Sequence, residues 1–241
     1  MIPVKMKVEQ IQNRRRIIEM TYEAGVAQLS STLSAVDIIE AVYAIKRPGE
    51  KFVLSNGHAA IALYAVMERY GLLADPKVAK LKIHPDRNPE IGIEVSTGSL
   101  GQGLPIAAGM ALANREKNVY CCISDGECAE GSIWESLRIA VETNLTNLKI
   151  IVNFNGFSAY RETEARRLIA GIQSFGLNLI ETDGHDLGCL SSALGVKTIR
   201  PLVIFAYTRV DQLPFLSGLS AHYHVMSESD YKLALTTWSS E

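Results

Sequence analysis

The amino-acid sequence predicts an α/β fold, a mostly parallel sheet with helices on both faces, and three observations carry that expectation. Five apolar runs, at residues 52–54, 119–123, 148–152, 177–180 and 202–206, have strand length and lack a polar alternation, as strands covered on both sides do. Most gaps between them hold a helical pattern, the usual crossover between parallel strands. Three runs end in small polar turns, Ser55-Asn56-Gly57-His58, Ser124-Asp125-Gly126 and Asn153-Phe154-Asn155-Gly156, where open α/β sheets bind ligands.

Composition supports a folded globular chain of 241 residues, 47% hydrophobic and 21% charged. A formal net charge of −2 creates no field for nucleic acid, and the Arg14-Arg15-Arg16 cluster, lying in a helical pattern, is expected to be a solvated face. Cys121, Cys122, Cys128 and Cys189 have no zinc-ligand spacing and are expected to be reduced structural thiols. No apolar run approaches the roughly 18 residues of a membrane span, and Met1-Ile2-Pro3-Val4-Lys5 leads straight into a mixed pattern. A cytoplasmic protein without a membrane segment is expected.

Along the chain, residues 8–27 read as a long amphipathic helix with Ile11, Ile17, Ile18, Met20 and Val26 among its charges. Ser34, with Asp37 three residues on, resembles an N-cap for a second helix over 35–45. The first strand and its polar turn lead into a helix over 59–70 that stops at Gly71. Residues 75–94, with prolines at 76, 85 and 89, predict a small helix and an irregular surface excursion. Ser96-Thr97-Gly98-Ser99-Leu100-Gly101-Gln102-Gly103 then feeds a helix over 105–114 whose small residues permit close packing on a sheet. No internal repeat, linker or domain boundary interrupts the pattern.

Asp125 and Asn155 sit at the tips of two strands joined by one helix. A carboxylate, an amide oxygen and a nearby carbonyl make a hard-oxygen set suited to Mg²⁺ on a diphosphate. The same spacing also fits a bland arrangement, with Asp125 capping a helix that begins near Ala129 and Asn155 forming a turn with Gly156.

Taken together, Phe52 through Ala60, His84-Pro85, Glu94 through Gly103, Asp125-Gly126-Glu127 with Glu130-Gly131, Asn155-Gly156, and Asp183-Gly184-His185-Asp186 resemble the transketolase family in its diphosphate-binding amino-terminal domain. The match runs in order from about residue 15 to about residue 230. It implies a thiamine-diphosphate-binding fold over 1–241 as one domain, with N-terminal helices over 5–45. It also implies thiamine diphosphate and Mg²⁺ or another divalent cation as cofactors. Asp125 and Asn155 would then hold the metal through side chains and Phe157 through its carbonyl. Gly126 would leave room for the diphosphate, and Gly98 and Leu100 would line the aminopyrimidine side. Glu130 would lie at a subunit interface linking two active sites, where a glutamate merely favoured by a helix dipole is the competing reading.

His58, His84 and His222 fall on family positions that contact substrate or diphosphate, with His224 competing for the last place. Histidine suits this work because hydroxyl protons must move near neutral pH. His185, in a turn-like Gly-His-Asp, is expected to be structural. The chain departs from the family at Gln28, where a substrate-facing histidine is usual, at Ser124 for a glycine, and at Asn153 for an aspartate. Glutamine exchanges hydrogen bonds but does not shuttle protons.

In the family a glutamate of a separate pyrimidine-binding domain completes the cofactor site. The resemblance therefore implies the N-terminal subunit of a split transketolase, active only with a C-terminal, pyrimidine-binding subunit in an α2β2 assembly, moving a two-carbon ketol unit from a ketose phosphate. A related alternative transfers that unit to a lipoyl or acyl-carrier partner or an unusual aldehyde. A third is a non-catalytic regulatory subunit.

Overall fold

The computed structural model describes residues 6–238. Two helices, α1 (Val8–Ala24) and α2 (Leu29–Ile45), precede strand β1 (Lys51–Leu54) and helix α3 (Ala60–Arg69). A short α4 (Val78–Leu81) lies in the excursion, followed by α5 (Gly103–Ala113), β2 (Val119–Ser124), α6 (Gly131–Glu142), β3 (Leu148–Phe154), α7 (Ala165–Ser174), β4 (Asn178–Asp183), α8 (Leu187–Leu194), β5 (Leu202–Tyr207) and α9 (Glu228–Thr237).

All five strands pair in parallel, in the order β1-β2-β3-β5-β4. Successive side chains leave a strand on opposite faces, and the sheet divides its apolar residues accordingly. Tyr120, Cys122, Ile151, Leu202 and Ile204 join one core with the residues of α1–α3 and α8. Val119, Cys121, Ile123, Ile150, Val152 and Val203 join the other, with α5, α6 and α7. The connection from β4 back to β5 runs against the direction of the others, and its helix α8 lies on the opposite face from α5–α7. Right-handed crossovers require that reversal.

The expected α/β fold with helices on both faces is the fold observed, and the sheet is parallel throughout the described residues. Two details near the N-terminus differ from the sequence reading. The first helix ends at Ala24 because Gly25 takes the left-handed conformation (φ 62°), and Lys5, the expected start of the N-terminal helices, lies outside the described residues. The second begins at Leu29, six residues before the expected start, after Gln28 in the left-handed region (φ 74°). Ser34 is therefore no cap. It lies inside α2, where its hydroxyl donates to the Ser31 carbonyl at 2.9 Å and accepts from Asn153 Nδ2 at 2.9 Å.

Asp37 and Arg14 are the larger correction. Arg14 is fully buried and not part of a solvated face: its guanidinium donates to both Asp37 oxygens, Nη1 to Oδ1 at 2.9 Å and Nη2 to Oδ2 at 2.6 Å. Gln212 Oε1 accepts from Arg14 Nε and Nη2, and His185 Nδ1 lies 2.8 Å from Asp37 Oδ2. The Arg209 backbone N–H donates to His185 Nε2 at 3.1 Å, which leaves Nδ1 as the protonated nitrogen facing Asp37. One charge pair thus ties α1 and α2 to the loops after β4 and β5. Burial alone would raise the Asp37 carboxyl, but the guanidinium and the His185 ring beside it hold it at about 2.

Arg14→Met is expected to lower the unfolding free energy by about 3–5 kcal/mol, the cost of stranding a buried carboxylate. Arg138→Ala, which removes two exposed ion pairs on α6, to Glu135 and Glu142, should cost about 0–1 kcal/mol in the same urea titration. Because the folded-state Asp37 value is depressed, its contribution is present above the unfolded carboxyl value. It should be lost as pH falls from about 4 toward 2, visible as a falling denaturation midpoint that Arg14→Met flattens.

Candidate active site

Parallel pairing sends the carboxyl ends of β1, β2, β3 and β5 to one edge, and the polar turns meet there. Asp125, 2% exposed, follows β2 directly. Its Oδ1 accepts from the Gly126 amide at 3.0 Å, and its Oδ2 accepts from the Gly156 amide at 2.9 Å and Thr163 Oγ1 at 2.6 Å. The carboxylate therefore reaches across to the turn after β3. In that turn Asn155 Oδ1 accepts from the Phe157 amide at 3.0 Å, and Phe157 forms an isolated antiparallel bridge with Glu162. The structure thus brings Asp125, Asn155 and Phe157 to one place. The helix expected near Ala129 starts later: Gly126–Ala129 is a 3-10 turn, and α6 begins at Gly131.

Burial pushes the Asp125 carboxyl up to about 6, although the donors Thr163, Gly156 and Gly126 pull it down. A buried carboxylate penalised for its charge, bonded to the Gly156 amide in the turn that carries Asn155 and Phe157, is chemistry that a divalent cation satisfies. A ligand is suggested separately by buried polar atoms without a hydrogen-bond partner: His222 Nδ1, Thr97 Oγ1 and both amide atoms of Asn56. The donor set fits a metal-bound diphosphate on these grounds. Asp125, Asn155 and Phe157 would hold the cation.

Three histidines face this edge. His58 follows the Ser55–Gly57 turn, His84 lies in the excursion, and His222 ends the 3-10 turn Gly218–His222. Burial, and then the like charges of His222 and His84, hold His58 at about 4. His58 therefore feels the charge of both other rings. His224 lies elsewhere: Nε2 is 3.1 Å from Asp230 Oδ2, and the ring stacks on Phe215 at 5.0 Å between centroids. Gln28 adjoins His222 through the backbone, its main-chain N–H donating to the His222 carbonyl at 3.3 Å, while its side-chain Oε1 accepts from Ser31 Oγ at 3.4 Å.

Gly98 has φ +124°, and a Cβ there would come within 2.5 Å of the His84 ring, so the glycine makes the seat for that imidazole. Leu100 is half-buried nearby in the chain. The space a side chain at Gly126 would take is bordered by Ser158, with its Cβ 3.3 Å away. Glu130 is exposed at the N-cap of α6 and makes no capping bond. Its Cβ lies 2.7 Å from the position a Cβ would take on Gly101.

Glu127 received no role from its place in the motif, yet it is fully buried and joins three segments. Ser55 Oγ donates to Oε1 at 2.6 Å, the Gly101 amide to Oε1 at 2.9 Å and the Ser124 amide to Oε2 at 3.1 Å. A second acid two residues after Asp125 was the available signal. The partners it binds are distant in the chain and silent in the sequence.

A five-stranded parallel sheet with a buried acid after β2, an amide turn after β3 and a glycine-rich loop feeding a helix defines an α/β cofactor-binding domain. The family model described as the transketolase thiamine diphosphate binding domain matches residues 40–210. Human transketolase is 34% identical over 223 residues, covering 81% of this chain and 36% of that protein. One of the subunits of an apulose-4-phosphate transketolase from Phocaeicola vulgatus is 28% identical over 248 residues, covering 91% of this chain and 88% of that protein. Among solved structures, a Pichia stipitis transketolase variant superposes with a TM-score of 0.83 at 24% identity, over 96% of this chain and 41% of that one. Transketolase from Campylobacter jejuni gives 0.80 at 24% identity, over 95% and 42%. These structural likenesses show the thiamine-diphosphate-binding fold. The chain belongs to the transketolase family, through its thiamine diphosphate-binding domain. It spans about a third of the length of the first of these curated relatives, 36% of the human protein. Among the described residues no helix is long and apolar enough to cross a membrane.

Two outcomes follow from this geometry. In NMR titration the His58 ring should stay neutral at pH 7 and titrate near 4. Being depressed below the ordinary histidine value of about 6.5, His58 should cost stability as pH falls from there toward 4. Gly98→Ala should displace the His84 ring, seen as a change in its NMR shifts, with the sheet unchanged.

Proposed function

We propose that this chain is the diphosphate-binding subunit of a two-component transketolase, binding thiamine diphosphate with Mg²⁺ or another divalent cation and moving a two-carbon ketol unit from a ketose phosphate. The observation that carries the reading is the meeting of the buried Asp125 carboxylate with the Asn155–Phe157 turn beside three histidines. Residues 1–241 act as one domain. Its partner is a pyrimidine-binding subunit that completes the site, and the assembly is α2β2, cytoplasmic, with Glu130 at an interface. The likeness to a Phocaeicola vulgatus protein named as one subunit of its transketolase, over 88% of that protein's length, supports the split form. So do exposed apolar side chains on the same molecule: Tyr160 and Tyr223, joined by the Tyr223 hydroxyl on the Ala159 carbonyl, and Ile106 and Leu112 on α5.

When bound, the cofactor supplies the carbon centre that cleaves and re-forms the ketose C–C bond. This chain's residues do the rest of the work on its side of the site. Asp125, Asn155 and Phe157 hold the cation and through it the diphosphate. His58, held neutral at pH 7, accepts or relays a hydroxyl proton, with His84 and His222 positioned to share that role. Gly98 and Leu100 bound the ring side of the cofactor.

Gln28 favours a second reading of the acceptor. It lies half-buried beside His222, where the family usually offers a proton-transferring ring. An acceptor such as a lipoyl or acyl-carrier partner, or an unusual aldehyde, would use an amide there.

Calorimetry with thiamine diphosphate and Mg²⁺, on the chain alone and with a pyrimidine-binding subunit, tests the reading. Saturable, metal-dependent binding is expected in the complex, abolished by Asp125→Ala and retained by Gln28→His. Absence of binding in both settings would overturn it and leave the regulatory reading. Turnover measured with aldose phosphates and then with carrier proteins separates the two acceptors.

A further inference from the structure

The loop from Thr97 to Gly103 carries Gly98 and Leu100, yet it belongs to no strand or helix until α5 begins. Its fixed shape therefore needs a source outside itself. The Gly101 peptide is held from both sides: its N–H donates to Glu127 Oε1 at 2.9 Å, and its carbonyl accepts from Ser132 Oγ at 2.8 Å. Ser132 is steadied in turn, its own carbonyl accepting from Ser136 Oγ at 2.7 Å. Glycine at 101 is needed twice over. Its φ is +81°, and a Cβ would fall 2.5 Å from Ser132 Oγ and 2.7 Å from the Glu130 Cβ.

Contacts on the other side of the loop are equally close. A Cβ on Gly103 would lie 2.5 Å from Ser55 Oγ, and one on Gly57 would lie 2.6 Å from the Gly98 nitrogen. The turn after β1 and the loop before α5 thus touch through glycines, and Glu127 binds one group from each. Its third donor, the Ser124 amide, is the end of β2, and Ser124 Oγ accepts from the Glu127 amide at 3.2 Å in return. A carboxylate suits this position because all three partners are donors. An amide would turn an NH₂ toward one of them.

We propose that Glu127 and Ser132 are positioning residues that clamp the Gly101 peptide and thereby hold the loop carrying Gly98 and Leu100 at a fixed distance from the Asp125 turn. The inference rests on the reading that thiamine diphosphate binds at this edge. Neither residue is among those assigned to the metal or the cofactor above. Their effect is to make the pocket before the cofactor arrives, so that its binding does not have to order the loop. A residue of merely structural importance would spread its effect over the sheet, whereas the clamp acts on one loop.

The test compares E127Q and S132A with wild type, each as the full chain in complex with a pyrimidine-binding subunit. Thiamine diphosphate with Mg²⁺ should bind at least about tenfold more weakly to E127Q, and to S132A by a smaller factor in the same direction. At saturating cofactor, kcat should recover toward the wild-type value while the apparent KM for cofactor stays raised. Amide hydrogen exchange should quicken over residues 97–103 in both variants, with β2 and β3 unchanged. Wild-type affinity in both variants, or protection lost equally across the sheet, would overturn the clamp. Failure of the wild-type complex to bind would instead sink the cofactor reading. S132A removes one hydroxyl from a half-buried site, so it keeps the test decisive if E127Q does not fold.

Discussion

Parallel pairing of all five strands is the constraint on which the rest of the molecule depends. It covers both sheet faces with helices, so the interior is apolar on either side, and it sends the strand ends that carry polar turns to one edge. Charge that must be buried there has to be satisfied by the loops themselves. Asp125 takes amides from its own turn and the next, and Glu127 takes donors from three segments. Both acids at this edge therefore serve as joints between loops, and Asp125 is a candidate ligand as well. That double use explains why the turns after β1, β2 and β3 can be irregular and still hold one shape.

Much of the architecture was legible because it depends on local pattern. Every apolar run became a strand, and the excursion with its three prolines contains only one short helix. What stayed hidden depends on pairs far apart in the chain. Arg14 reads as an exposed residue in a basic run until Asp37 is placed against it across a helix interface, and composition gives no notice of such a meeting. Ser34 carries the side chain of a helix cap, yet a helix that is buried on almost every side continues through it and gives its hydroxyl to Asn153. His224 competes with His222 for one family position in the sequence, where His222 is the preferred match. In space one neighbours His58 and the other is taken by Asp230. Glu127 was visible as a motif letter but not as a hub, since Ser55 and Gly101 are remote from it in the chain.

The departures from the family acquire physical content in the same way. Ser124 stands where a glycine is usual, and its side chain and amide form a reciprocal pair with Glu127. Asn153 stands where an aspartate is common and is tied on both sides, donating to Ser34 and accepting from Thr208 Oγ1 at 2.6 Å. A charged group there would have lost the donor that Ser34 receives. Both substitutions are thus built into the local hydrogen bonding. Gln28 differs from them, because it occupies a left-handed helix start whose main-chain N–H donates to the His222 carbonyl, and its side chain accepts only a 3.4 Å bond from Ser31 Oγ.

The strand order has a consequence for how the chain reaches this structure. β5 follows β4 in the chain, yet it sits between β3 and β4, and among the described residues β4 pairs with no other strand. Until residues 202–207 leave the ribosome, β3 presents an open edge of Ile150, Ile151 and Val152, and β4 has nothing to join. The half of the sheet that carries the amide turn is completed only by a late, non-local insertion. Such contacts close slowly and expose sticky edges while they wait. The open β3 edge is the part of the sheet most exposed to aggregation in that interval.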